Sequence, residues 1–230
     1  MARRTPKLPA LIVAAVLMAC AVVVLVVSEK AEATFPGKIG RIAYSAFDFD
    51  RGPDDTIYTI NSGGGARTQL TRGYQPSYSP NGKKIAFSAF DVEAEHEIFV
   101  TNVDVTGETQ LTENTDLREW SPTWQPNGEK IAFLSAGNSS DDDVYTINAD
   151  GSGQTRLTKT AQDEGFLTWS LDGKKIALAR DTNYEPVDWK IWDSIYIMSA
   201  DGTGQTRLSA IDAGDFGEPV SIVFVPEGRR

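Results

Sequence analysis

After residue 34 the apolar residues fall in short clusters set off by polar turns, and no stretch holds a helical period. The clusters are rich in Ile, Tyr and Phe and alternate in part with polar residues, as in KIAFSAF from Lys84 and TIYTIN from Thr56. Period-two patterning of this composition predicts β-strands. The short phrases between them, PNG at Pro80 and Pro126 and LDG at Leu171, predict tight turns, because Gly and Asn accept the positive φ that such turns need.

The clusters also repeat. NADGSGQTRLT from Asn148 returns as SADGTGQTRLS from Ser199, with looser copies at Ile60 (INSGGGARTQLT) and Asn102 (NVDVTGETQLT). Ile85, Ile131 and Ile176 mark one position in successive units, 46 and 45 residues apart, and Ile42 stands one step earlier. Each unit offers four strands: A around SYS at Ser77 or TWQ at Thr123, B in KIAFSA, C in IYTIN and D in TQLT or TRLT. Four-stranded units of about 45 residues predict the blades of an all-β propeller. Strands apolar on both faces fit that architecture, since each blade packs against a neighbour on either side. Trp124 and Trp169, at the strand A position, are expected in the core.

The phrase pattern of the units, TWQPNGEKIAF (from Thr123) followed by DVYTINADGSGQTRLT (from Asp143), resembles the TolB-like β-propeller repeat family from Ile39 to the end of the chain. The resemblance implies an extracytoplasmic propeller, a fold that in this family often has six blades, used as a protein-interaction module of the cell envelope. Four units are visible here. The last residues, FVPEGRR, match the start of the A-to-B phrase, whereas Gly37–Phe47 begins with a strand B that no strand A precedes. Two readings stay open: a strand A near 220–225 completes the first blade and closes a four-bladed ring, or the units are a fragment of a six-bladed propeller.

Residues 1–33 are set apart from this domain, which runs over 34–230. Arg3, Arg4 and Lys7 precede an unbroken apolar run from Ala10 to Val27, and an Ala-x-Ala pattern ends at Ala33. This reads as a signal peptide cleaved before Thr34, giving a secreted or periplasmic protein. The alternative is a transmembrane anchor over residues 10–27, since 18 apolar residues just span a bilayer. The only cysteine, Cys20, lies in this segment, so no disulfide supports the domain.

Charge adds a polarity. The chain carries a formal net charge of −10, which argues against a nucleic-acid partner. In an up-and-down blade the A–B and C–D turns share one rim, and the B–C and D–A connections share the other. The second set is longer and more variable, and it holds 23 of the acids against five bases. Long loops on a rigid scaffold are where recognition concentrates, and an acidic rim steers cationic partners. The partner expected there is a protein or another cell-envelope component. The candidate contact residues are Tyr184, Trp189 and Trp192 in the loop 181–194, together with Asp141, Asp142 and Asp143 in the loop 136–143. Solvation of an exported protein is the plainer reading of that Asp run.

Catalytic chemistry finds little footing. His96 is the only histidine and no nucleophile-elbow sequence accompanies it, so no catalytic residue is assigned. A hydrolase or lyase using rim carboxylates is the alternative function. No metal or cofactor is assigned either: DFDRGPDD from Asp48 lacks the EF-hand order, and the DGSG phrases are flanked by strands. Residues 1–40 fused to a reporter are expected to carry it out of the cytoplasm. Mass spectrometry of the exported product should find Thr34 at its N-terminus, and full-length chain in the membrane fraction would select the anchor.

Overall fold

The computed structural model describes residues 40–47, 55–91, 95–114, 117–137, 141–182, 194–210 and 222–224. The described residues form four antiparallel sheets in sequence order and no helix, the arrangement of propeller blades. Blade 1 contains β1 (Arg41–Phe47), β2 (Asp55–Asn61) and β3 (Thr68–Arg72). Blade 2 contains β4 (Tyr74–Tyr78), β5 (Lys84–Phe90), β6 (His96–Asn102) and β7 (Thr109–Gln110). Blade 3 contains β8 (Leu117–Trp124), β9 (Lys130–Gly137), β10 (Asp142–Asn148) and β11 (Thr155–Arg156). Blade 4 contains β12 (Glu164–Trp169), β13 (Lys175–Arg180), β14 (Ser194–Ser199) and β15 (Thr206–Ala210).

The strands B of blades 2 and 3, β5 and β9, each feed two cores. Successive side chains of a strand point to opposite faces. On β9, Ile131 and Phe133 join Ile98, Val100 and Trp124 in the seam with blade 2, while Ala132 and Leu134 join Trp169, Ile176 and Leu178 in the seam with blade 4. A third cluster, with Ile57, Ile85 and Phe87, fills the seam between blades 1 and 2. The repeated turns complete these seams. Gly82, Gly128 and Gly173 take φ of 67°, 77° and 68° in the three A–B turns. In the C–D hairpin, a Cβ on Gly202 would lie 2.6 Å from the Leu157 carbonyl of the preceding blade, so the second DG phrase must be glycine where the blades touch.

Polar contacts stitch the strands A together. Trp124 Nε1 donates to the Ser77 carbonyl and Trp169 Nε1 to the Thr123 carbonyl, both at 3.2 Å. Each strand A also carries a bulge that the local pattern does not announce. Its register shifts between Tyr74 and Ser77, Trp120 and Thr123, and Gly165 and Thr168. Gln75, Ser121 and Phe166 adopt φ of 52°, 55° and 52° at the equivalent point. For a residue as bulky as Phe this left-handed conformation costs about 1–2 kcal/mol, which the seam contacts offset.

The expected ring closure is not formed by the described residues. Blade 1 has three strands, β1 is its edge with Ile42 52% exposed, and Ile222–Phe224 carry no strand. The rest of the 220–225 segment lies outside the described residues.

Trp169→Ala is expected to cost about 3–5 kcal/mol through the cavity it leaves in the seam between blades 3 and 4. Trp169→Phe should cost much less, with about 1 kcal/mol coming from the lost bond to Thr123. Urea midpoints of the two variants check the order, and equal losses would remove the bulk of the indole from the account.

Candidate functional site

The rim where strands B end and strands C begin was expected to carry solvated negative charge. The structure turns much of that charge inward. Glu97, Glu119, Asp142, Asp143, Asp163, Glu164 and Asp181 are all buried. Asp141 is half-buried, but Asp142 and Asp143 are only 4% and 3% exposed because the rim loop ends earlier than the sequence implied and β10 already includes both. The reading of this run as a solvated loop is therefore corrected. Tyr184, Trp189 and Trp192 lie outside the described residues.

The buried acids occupy the same places in successive seams. In the seam between blades 3 and 4, Asp143 pairs with Arg156, and Glu164 pairs with Arg180, whose Nε donates to Oε1 at 3.0 Å. Thr158 Oγ1 donates to Glu164, and the backbone N–H of Val144 donates back to that hydroxyl at 2.8 Å. Burial pushes the Glu164 carboxyl up, while Thr158 and Arg180 pull it back down. In the seam between blades 2 and 3 the equivalent acids are Glu97 and Glu119, and here the threonine serves the first rather than the second. Thr112 Oγ1 donates to Glu97 Oε2 at 2.5 Å, and the Asn114 side chain donates to Glu119 Oε1 at 2.9 Å. Gln154, from the repeated GQT phrase, donates to Glu119 Oε1 at 3.1 Å, whereas its counterpart Gln205 accepts from Arg180 at 2.9 Å. An amide serves both roles because it carries a donor and an acceptor.

Blades 1 and 2 hold a different arrangement. Here the repeat places Thr56, Gly73 and Ala89 where the other seams hold acids and their partners. A groove of about 680 Å³ runs along this seam, lined by Asp55, Arg72, Tyr74, Phe90, Asp91 and Phe99 among others. His96 stands beside it. The Tyr74 hydroxyl is hydrogen-bonded to His96 Nδ1, and the Phe90 ring meets the imidazole edge-on with centroids 4.2 Å apart. Burial first, and the Arg118 charge second, lower the His96 pKa, with Glu95 acting against them. The imidazole is thus neutral at pH 7, and in the tautomer with its proton on Nε2 the Nδ1 atom accepts from the Tyr74 hydroxyl. Burial raises the Tyr74 pKa, which keeps the phenol a donor.

Among the described residues no group of three or more His, Cys, Asp or Glu is placed to hold a metal ion, and no helix is long and apolar enough to cross a membrane. The apolar run at residues 10–27 lies outside them. Sequence reasoning singled out His96 but missed Tyr74, Glu119, Glu164 and Arg180. The repeat alignment holds a signal for the last, since Arg180 stands where Ser135 stands one unit earlier.

Tyr74→Phe keeps the ring and removes the donor to Nδ1, so the His96 pKa should rise by roughly 0.5–1 unit. His96 is the only histidine, so one imidazole resonance followed by NMR titration reads the change directly. An unmoved resonance would mean that the hydroxyl does not donate to the ring.

The comparisons with known proteins agree with this architecture. A family model described as the TolB beta propeller domain matches residues 72–229. No curated protein matches the chain in sequence. Among solved structures, TolB from Acinetobacter baumannii superposes with a TM-score of 0.61 at 19% identity, covering 84% of this chain and 46% of that one. A protein described as TolB from Agrobacterium tumefaciens gives 0.59 at 23% identity, covering 72% and 60%. A chain of a nidogen/laminin complex gives 0.53 at 14% identity, covering 68% and 57%. This chain therefore spans about half the length of the TolB structures that it matches. Enzymes share the fold as well, among them an oligogalacturonate lyase and an acylaminoacyl peptidase. With the family model spanning most of its length, and with consecutive blades built from the repeated phrase, the chain belongs to the TolB beta propeller domain family.

Proposed function

We propose that this chain is an extracytoplasmic propeller that binds a protein partner through the rim bearing the B–C and D–A loops. The observation that carries the reading is the groove between blades 1 and 2, built on rigid strands and lined by aromatic and charged side chains. Sites of that kind suit recognition, because rings supply contact area and fixed polar groups supply specificity. The charged n-region and apolar run before Thr34 support export, and a nidogen/laminin complex supplies one instance of this fold in a protein complex. Tyr184, Trp189 and Trp192, in the loop between β13 and β14, are proposed as further contacts on the same rim.

Binding is favoured over catalysis by the state of His96. Its Nδ1 is occupied by Tyr74, and the ring is packed against Phe90. The acids of the seam between blades 3 and 4 are bound by Arg156, Arg180 and Thr158. The negative charge left to meet a cationic partner is correspondingly smaller than the loop composition implies, and Asp141 is the member of its run that still reaches solvent.

The full-length chain serves as bait for a pull-down from envelope extract, and the captured partner is then measured against variants. Trp189→Ala with Trp192→Ala should weaken binding by about 2 kcal/mol or more, mainly through faster dissociation. Asp141→Asn should slow association at low salt and have little effect at high salt. Loss of binding on substitution of Asn81 and Asn127 in the A–B turns, with both rim variants unaffected, would move the recognition face to the opposite rim.

A further inference from the structure

Two seams of this propeller place acids at identical positions, yet only one supplies cations. By register, Glu97, Gln110, Glu119 and Ser135 in the seam between blades 2 and 3 correspond to Asp143, Arg156, Glu164 and Arg180 in the next. Both arginines are thus replaced by neutral residues. Glu97 and Glu119 are nevertheless each 0% exposed. Two ionised carboxylates buried in a seam without a counter-charge are strongly unfavourable, and the usual outcome is that one takes up a proton.

The hydrogen bonds say where that proton sits. Glu97 Oε2 accepts from Thr112 at 2.5 Å, and Glu97 Oε1 accepts from the Asn114 backbone N–H at 2.9 Å. Glu119 Oε1 accepts from Asn114 and Gln154. Glu119 Oε2 is buried with no donor, and so is the Ser135 hydroxyl beside it in register. One of the four carboxyl oxygens is therefore left over, and Asn114 bridges the two acids, its backbone N–H on Glu97 and its side chain on Glu119. We propose that this pair of buried acids holds one proton, carried on Glu119 Oε2, and that this makes the seam between blades 2 and 3 a pH-sensitive latch.

Among the described residues the surroundings offer no substitute charge. Tyr145, on β10, faces Glu119 as a neutral phenol with its own pKa raised, chiefly by burial. Arg156 pairs with Asp143, and the charge of the exposed Arg118 acts on His96. Glu95 and Glu113, the flanking acids, add no cation, and Glu113 is exposed. Burial first, and Glu97 next among the groups that raise it, push the Glu119 carboxyl to about 8. An unfolded Glu titrates near ~4.3, so between about pH 4.3 and 8 the folded chain holds a proton that the unfolded chain has lost. The contribution is therefore complete at low pH and is lost as pH rises through that window, by up to about tenfold in the folding equilibrium constant per pH unit.

Glu119→Gln tests this in the full-length chain. The amide keeps Oε1 for Asn114 and Gln154 and places its N–H₂ where the proton sits. The ratio of wild-type to variant folding constants, from urea unfolding, should fall by about tenfold per pH unit approaching pH 8 and level off above it. Infrared difference spectra at pH 7 should show a protonated carboxyl band in the wild type that the variant lacks. In the wild type alone that band should fade between about pH 7 and 9, which tests the idea even if the variant does not fold. Parallel pH profiles with no such band would overturn the proposal. So would stabilisation of the wild type, but not of Glu119→Gln, by added calcium or potassium at pH 9, because the counter-charge would then be a metal ion.

Discussion

Blades 2 and 3 of this propeller are apolar on both faces, and that one constraint organises the molecule. A sheet of this kind has no solvent face, so it is stable only between two others. β9 makes the point within one strand, with Ile131 and Phe133 turned to blade 2 and Ala132 and Leu134 turned to blade 4. The repeated glycines, the tryptophans donating from one strand A to the previous one, and the close approach of Gly202 to Leu157 are all consequences of pressing sheets together at that spacing.

The apolar seams end at the loop-bearing rim, where the backbone ends and polar side chains must also be satisfied. The chain solves this differently at each seam. Blades 3 and 4 use two acids and two arginines, blades 2 and 3 use two acids with amides and a threonine, and blades 1 and 2 use small neutral residues and leave a groove. Divergence at equivalent positions is what turns a structural repeat into a molecule with distinct local chemistry. The recognition face proposed for this rim would rest on polar groups that the seams have already fixed in place.

Much of the architecture was legible in the sequence because it is local and periodic. The strand boundaries follow the Ile, Tyr and Phe clusters, the PNG and LDG turns follow from positive φ at Gly82, Gly128 and Gly173, and the spacing of Ile85, Ile131 and Ile176 gives the blade period. The inward-facing Trp124 and Trp169 could be read in the same way, as recurring positions on a strand with two buried faces.

What the tertiary structure decided is which polar groups meet. Asp142 and Asp143 look like a solvated run until β10 draws them into a seam, and Glu119 and Glu164 face their partners only after the bulges at Ser121 and Phe166 reset the register. Glu97 meets Glu119 of the next blade through Asn114, and the partner of His96 lies 22 residues away on β4. Hydrophobic period and turn chemistry are properties of neighbouring residues, so the sequence by itself determined them. Charge burial and the shape of the groove depend on contacts between blades, and only the packed sheets bring those residues within reach of one another.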